Sequence, residues 1–506
     1  MSMEFLLAYR PLWAILISLV AAALIMLTGD KRPNLRETWT IVAAVGKMLI
    51  VFSMLPLVLA GGVIEIEPFK IARGVSLHLR ADAAGMVFAV LASFLWVVTS
   101  FYSIGYMRKL QEEHQTGYFA CFAVCLSATM GIAFAANLLT FFVFYEILTI
   151  ATYPLVVHHR DQESIKAGRK YLAYTLIAGQ LFLVGILWVQ FLVGHGDFQP
   201  GGFLAGKASV GALQTIFLLM TLGTAVKAGV MPVHGWLPSA MVAPTPVSAL
   251  LHAVAVVKAG AFGIVRIVGY VFGPQLLAQL GVAQILAWFA AFTIIVSSLI
   301  AMAQDNLKKR LAFSTIGQLS YVVLGAALLT PLGIMGGIFH IVAHAVMKIT
   351  LFFCAGAIFA TTQLTRVSEL NGIGREMPYT MGAFTVGAVG ITGLPFIVGF
   401  ISKWNLALGS LQGGQGVYVG VLLLSSLLSA AYFLPIVYAA FFKKSEPQVA
   451  KHHCGEANKM MLIPLLITAA VSIVLGVFPN AGGGLYDLAA MSAQSIVSGQ
   501  FMVGGW

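Results

Sequence analysis

One carboxylate and four lysines stand where charge is least expected. Glu146 lies inside the apolar run Asn137-Leu-Leu-Thr-Phe-Phe-Val-Phe-Tyr-Glu146-Ile-Leu-Thr, and Lys227, Lys258, Lys348 and Lys403 lie inside other apolar runs. Of 18 acidic residues, Glu146 alone falls in the middle of such a run. An ionisable group at the centre of a bilayer costs a few kcal/mol on insertion scales, so groups of this kind usually mark ion or proton pathways. One carboxylate cannot neutralise four lysines. If Glu146 pairs with Lys227, then Lys258, Lys348 and Lys403 have no acidic partner in the chain. Removal from water disfavours the charged form of an amine, and a buried lysine that exchanges its proton is a relay station.

Histidines extend the series. His234, His252, His340 and His344 lie in or beside apolar runs. The segment His340-Ile-Val-Ala-His344-Ala-Val-Met-Lys348 stacks three ionisable groups at i, i+4 and i+8 on one helix face. His252 and Lys258 are six residues apart, which puts them on different faces of a continuous helix. The pair His340 and His344 could suggest zinc, but no Glu follows the first His and no third ligand presents itself, so no metal is expected. Lys47 sits eight residues into the second run and could belong to either class, and Arg266, close to a run end, is expected to snorkel.

The elements that must position these groups are membrane spans. The 506 residues are 59% hydrophobic and 9% charged, whereas a soluble protein is about 25% charged. Disorder needs the opposite balance, and four cysteines, Cys121, Cys125, Cys354 and Cys454, make no disulfide scaffold. Apolar stretches of about 20 residues recur along the chain. The expected fold is an all-α polytopic membrane protein with about fourteen spans: 7–28, 39–61, 83–106, 118–136, 138–157, 170–194, 211–231, 240–272, 278–303, 310–330, 332–360, 379–411, 416–442 and 459–479. The first lacks a signal-peptide cleavage pattern and is kept as a span. No soluble domain is expected; 62–82, 195–210, 361–378 and 443–459 are the longest polar stretches, and the tail from about 480 is Gly-rich.

Loops after odd-numbered spans carry eighteen Lys and Arg, and the opposite side carries five, Arg10, Lys70, Arg73, Arg80 and Lys207. The positive-inside rule then puts both termini outside. The net charge of +11 is therefore orientation, not a nucleic-acid footprint, which would be a clustered basic face.

Two spans are interrupted. Span seven reads Lys227-Ala-Gly-Val-Met-Pro232-Val-His234-Gly-Trp-Leu-Pro238, and span twelve reads Gly393-Leu-Pro395-Phe-Ile-Val-Gly-Phe-Ile-Ser-Lys403. Proline removes a helical hydrogen bond, and freed backbone groups in a bilayer must face protein or water. Gly/Pro breaks at matching positions of two halves point to inverted repeats around an ion path. The expected organisation is helices 1–3 in 1–117, a first repeat in 118–272, a second and inverted five-helix repeat in 273–442, and a last helix with a short outer tail in 443–506.

With these residues in view, the chain resembles the antiporter-like proton-channel subunits shared by respiratory complex I, membrane-bound hydrogenases and Mrp-type multisubunit cation/proton antiporters. The resemblance covers roughly 85–480. It rests on Phe-Tyr-Glu146, on Lys227-Ala-Gly with Pro-x-His234-x-Trp-Leu-Pro, and on Pro244-Thr-Pro-Val-Ser-Ala-Leu-Leu-His252. The turn Gln304-Asp-Asn-Leu-Lys-Lys-Arg-Leu-Ala-Phe-Ser-Thr-Ile and the His340, His344, Lys348 series complete it. The resemblance implies a Glu146–Lys227 pair on spans five and seven, Lys258 as central relay, and Lys403 as terminal group. It also implies that His252, His340, His344 and Lys348 lie along the mid-membrane axis. Lys403 stands where some subunits carry Glu; with the chain length, it makes the chain look most like an Mrp D-type subunit. The alternative is a proton-pumping subunit of a complex I-like or hydrogenase-type redox complex. Expected partners are other membrane subunits of such a complex.

Two rivals differ in kind. Direct sodium antiport by this chain is disfavoured, since hard cations want several oxygen ligands; if the assembly moves sodium, another subunit should hold it. A redox subunit is disfavoured because the cysteines lack cluster spacing. No nucleotide fingerprint appears. No cofactor is expected, and the chain is not expected to be an enzyme by itself.

Overall fold

The computed structural model describes residues 7–72, 75–444 and 455–501. Arg73 and Lys451 of the charge count, and Cys454, lie outside the described residues. The spans begin with α1 (Arg10–Thr28), α2 (Pro33–Phe52), α3 (Ala83–Lys109), α4 (Gln115–Phe134), α5 (Leu138–Val156) and α6 (Gln162–Val193). Span seven is α7 (Val210–Ala228), and span eight is α8 (Thr245–Ala253) with α9 (Val256–Arg266). There follow α10 (Val282–Ala303), α11 (Leu307–Ala327) and α12 (Pro331–Thr362). Span twelve is α13 (Pro378–Thr392) with α14 (Val398–Gln412), and α15 (Val417–Phe442) and α16 (Lys459–Val477) close the set. Twelve of these spans are long and apolar enough by themselves to cross a membrane. The fourteen expected are reached with α11, which is rich in polar side chains, and the split pair α13–α14.

Several helix starts carry side-chain caps, which occupy orphan backbone N–H groups that a bilayer cannot solvate. Asn137, Asp161, Ser209, Asn306 and Thr330 each accept the N–H three residues on. The helices sort by burial. α1, α2, α6, α15 and α16 each bury two fifths or less of their most apolar stretch, whereas those of α12 and of span eight are wholly buried. These two central elements carry His252, Lys258, His340, His344 and Lys348.

Both expected breaks are present. α7 stops at Gly229 (φ +75°) and α13 at Gly393 (φ +88°), the left-handed conformation that favours glycine at a helix end. Three expectations are corrected. Span eight is a third broken helix, interrupted at Val254 and Ala255, so the different-faces argument for His252 and Lys258 does not apply. The polar stretch 62–82 holds a hairpin, β1 (Ile64–Ala72) against β2 (Val75–Ala81), with Glu65 opposite Arg80. The Gly-rich tail holds α17 (Leu485–Ser498), which packs on α3 and α12.

The hairpin is tied to the loop after α6 by charge. His78 Nε2 lies 2.6 Å from Glu65 Oε1, His78 Nδ1 lies 3.4 Å from Asp197 Oδ1, and Arg80 bonds Glu65 at 2.7 Å. Bonds to Asp197 and then Glu65 raise the His78 pKa to about 9 from an ordinary 6.5. Bonding from His78, then Arg80, holds Glu65 at about 2 against an ordinary 4.5. The His78 contribution is thus complete below about pH 6.5 and is lost as pH rises through 9. The Glu65 contribution is complete above 4.5 and is lost as pH falls through 2. The melting temperature in detergent should fall between pH 6 and pH 10 more in wild type than in His78→Gln; equal falls would show that the cluster does not hold the hairpin.

Candidate functional site

Lys227 occupies the last turn of α7, fully buried. Its Nζ donates to the Tyr145 carbonyl at 2.5 Å and sits 3.2 Å from the centre of the Tyr145 ring. The Tyr145 hydroxyl returns to α7 by donating to the Gly223 carbonyl at 3.0 Å. Glu146, the next residue on α5, faces α6, where a side chain at Gly179 would run into its carboxylate. Glu146 and Lys227 interact electrostatically, but no ion pair within 4.0 Å joins them among the described residues. The pair is therefore open: the ammonium is held by a carbonyl and a π-face.

A row of close contacts leads from Lys258 toward Lys403. Lys258 Nζ lies 2.6 Å from His344 Nδ1. The His344 and His340 rings stack at 6.2 Å. His340 Nδ1 lies 2.8 Å from Ser402 Oγ, and Ser402 adjoins Lys403 on α14. The Tyr321 ring spans the same step, 5.1 Å from the His340 ring and 5.3 Å from Lys403 Nζ. Lys403 Nζ donates to the carbonyls of Ile391 and Thr392 at 2.7 and 3.1 Å and to Ser426 Oγ at 3.0 Å. Those carbonyls are the ones α13 leaves unpaired by ending at Thr392. Pro395 stands in the turn that follows, as Pro232 and Pro238 stand in the connection after α7.

Lys348 is a branch of this line. Its Nζ donates to Ser314 Oγ at 2.8 Å, and Tyr432 Oη donates to the same hydroxyl at 3.0 Å. His252, also buried, lies against Phe352 at 4.8 Å. His234 does not join the axis: it is half-buried beside Phe313 and near Lys170, at the end of the molecule that carries the basic loops. The δ nitrogens of His340 and His344 are engaged by Ser402 and Lys258, while the ε nitrogen of each has no hydrogen-bond partner among the described residues. No hydrogen bond joins Lys227 to Lys258 among the described residues, although Gly260 lets α9 approach the backbone of Lys227 and Ala228 closely.

Sequence reasoning missed Tyr145, Ser314, Tyr321, Ser402 and Tyr432. Uncharged hydroxyls and rings in an apolar run carry no signal until a neighbouring helix is known. It also misplaced Arg266. Instead of snorkelling, Arg266 is buried and makes a bidentate pair with Asp82 at 2.6 and 2.8 Å, enclosed by the rings of Tyr270, Phe262 and Phe198. Lys47 resolves as buried and off the axis, bonded to the Leu126 carbonyl at 2.9 Å beneath the Trp96 ring.

Comparison with known proteins adds three findings. A family model described as NADH:quinone oxidoreductase/Mrp antiporter, transmembrane, matches residues 135–429. The N subunit of the NADH-quinone oxidoreductase of Desulforudis audaxviator is 33% identical over 425 residues, 80% of this chain and 82% of that protein. The D subunit of the Na(+)/H(+) antiporter of Alkalihalophilus pseudofirmus is 27% identical over 469 residues, 91% and 92% of the two. Other relatives at 28–30% identity are longer, and the match spans 43–63% of their length. Among solved structures, a chain of the Mrp complex from Dietzia sp. DQ12-45-1b superposes with TM-score 0.87 at 21% identity, over 98% of this chain and 99% of that one; this likeness is one of fold.

The Asp82–Arg266 clamp gives a stability test. Asp82→Ala strands a buried guanidinium and should cost about 3–5 kcal/mol, while Asp82→Ala with Arg266→Leu should recover most of the loss. Thermal melting of the purified protein measures both; a single variant as stable as wild type would show that the pair does not clamp the span.

Proposed function

The chain belongs to the NADH:quinone oxidoreductase/Mrp antiporter transmembrane family, and from that premise we propose that it is a proton-translocating subunit of a multisubunit membrane complex. The observation that carries this reading is the buried row Lys258, His344, His340, Ser402, Lys403, hydrogen-bonded at its Lys258–His344 and His340–Ser402 steps and joined by ring stacking between the two histidines. Every member of it can accept or donate a proton.

In the proposed mechanism Glu146 and Lys227 are the switch. At 4 Å and an effective dielectric of 20, closing the pair is worth about 4 kcal/mol. At 1.36 kcal/mol per tenfold, that biases a protonation equilibrium by roughly a thousandfold. With the pair open, Lys227 is uncompensated, and its charge drives a proton from the first half toward Lys258. His344 and His340 then carry it to Lys403, with His252 and Lys348 beside the path and Pro232, Pro238 and Pro395 shaping the breaks. Residues 118–272 and 273–442 are the two repeats, with Lys227 and Lys403 in corresponding places. The basic loops face the cytoplasm, and both termini face outward in a cell membrane.

Within the family, the D subunit of an Mrp-type cation/proton antiporter is the first assignment. It is supported by the near end-to-end match to the antiporter chain of Alkalihalophilus pseudofirmus and by lysine at position 403. A subunit of a complex I-like or hydrogenase-type redox complex is the second, favoured by the higher identity to the oxidoreductase chain of Desulforudis audaxviator. In either case the partners are membrane subunits of the same assembly. Purification of that assembly separates the two by its co-migrating chains: soluble iron–sulfur or hydrogenase partners would displace the antiporter assignment.

The relay itself is tested in vesicles bearing the complex. Glu146→Ala and Lys227→Ala should each lower proton flux by about a hundredfold or more, the scale of losing a positioned proton-transfer group. Wild-type flux in both variants would end the assignment. Sodium binding to the isolated subunit should be absent; saturable binding would favour direct antiport by this chain.

A further inference from the structure

One group of ionisable side chains lies apart from the line described above, at the end of the molecule that carries the basic loops. Glu112 stands in the turn between α3 and α4. Its Oε2 is 3.6 Å from His158 Nε2 and 3.6 Å from His159 Nδ1, both in the loop after α5. Lys308, in the first turn of α11, is within electrostatic reach of the same carboxylate and donates to the Ala243 carbonyl at 2.6 Å. Ala243 closes the connection between spans seven and eight, and its carbonyl also takes the Ser248 hydroxyl at 3.5 Å. Thr245 Oγ1 donates to Tyr106 Oη at 3.4 Å, and Tyr106 lies within electrostatic reach of Glu112.

From this cluster one polar face runs inward. Thr245, Ser248 and His252 recur at i, i+3 and i+7, on one side of α8, and all three are buried. They span about 10 Å along the helix. Neither ring nitrogen of His252 has a hydrogen-bond partner among the described residues. Leaving such a group idle in a core costs about 1–3 kcal/mol. His252 is within electrostatic reach of Lys308 on one side and of Lys258 and Lys348 on the other. A partly buried carboxylate flanked by imidazoles, a lysine, a hydroxyl-lined helix face and an open imidazole thus lead toward the central lysine.

We propose that Glu112, flanked by His158 and His159, and Lys308 form the proton mouth on the basic-loop side, and that Thr245, Ser248 and His252 conduct from it to the Lys258–His344 pair. Glu112 takes a proton from bulk water. The proton passes to the Lys308 amine and on to His252, and His252 returns to its neutral form by handing a proton to Lys258. Glu112 and Lys308 form a second carboxylate–lysine couple, placed at the surface as Glu146 and Lys227 are placed in the membrane. The proposal rests on the proton-translocation reading.

The test uses vesicles containing the whole complex, with assembly checked on native gels. Glu112→Gln and Lys308→Arg keep size and, for arginine, the charge and the bond to Ala243, but arginine does not release its proton at working pH. Each should assemble and lower proton flux by about tenfold or more, as expected when a proton-transfer group cannot titrate, while Glu112→Asp keeps most of it. Wild-type flux in Lys308→Arg would make Lys308 an anchor for the Ala243 connection and overturn the proposal. Wild-type flux in both Glu112→Gln and Lys308→Arg, with flux lost in Lys258→Ala, would place the mouth elsewhere. Wild-type flux in Lys258→Ala would instead sink the proton-translocation reading itself.

Discussion

A cation buried in a bilayer must be neutralised or solvated by the protein around it. This chain has far more buried cations than carboxylates to meet them. Asp82 serves Arg266, and Glu146 acts on Lys227 from a distance. Every other buried lysine is held by groups without formal charge: the Leu126 carbonyl and the Trp96 face for Lys47, an imidazole for Lys258, the Ser314 hydroxyl and the Leu311 carbonyl for Lys348, and carbonyls for Lys403. A neutral acceptor solvates a lysine whether it is an ammonium or an amine, whereas a contact carboxylate would lock in the charge. With so little acid, no carboxylate in contact fixes the charge of Lys47, Lys258, Lys348 or Lys403 among the described residues.

The helix breaks follow from the same constraint. A helix ending inside the membrane leaves carbonyls without partners and a partial negative charge at its C-terminus. Lys227 sits in the last turn of α7, and Lys403 folds back onto the last carbonyls of α13. Lys403 thus meets the negative end of a half-helix, whereas Lys227 reaches across to the Tyr145 carbonyl on α5. The glycine at each stop lets the chain turn there, and at Gly393 it also leaves room for the Lys403 side chain, which a Cβ would press. At Lys403, breaking the helix and holding the lysine are one arrangement. The third break, between α8 and α9, separates His252 from Lys258, so the two no longer obey the angular spacing of one helix.

Much of this was legible in the residues. Glu146, the four lysines and the His340, His344, Lys348 series declare themselves because charge in an apolar run is costly, and the Gly/Pro interruptions mark two breaks. Other features left no such mark. Tyr321 and Ser402 look like ordinary span residues until α11, α12 and α14 are packed together. The Asp82–Arg266 pair joins residues 184 positions apart. The hairpin at 64–81 alternates too weakly beside its charges to stand out, and α17 hides in a Gly-rich tail.

Composition and the placement of charge alone determined a many-span membrane protein and the ionisable groups that a bilayer would not tolerate without a use, since the cost of burying charge does not depend on the fold. Tertiary structure decided which of those groups touch. It opened the Glu146–Lys227 pair by offering Lys227 the Tyr145 carbonyl, joined Lys258 to His344, and set His234 and Lys47 aside. Contacts between helices depend on which faces meet and where each helix stops, and no single helix carries that information.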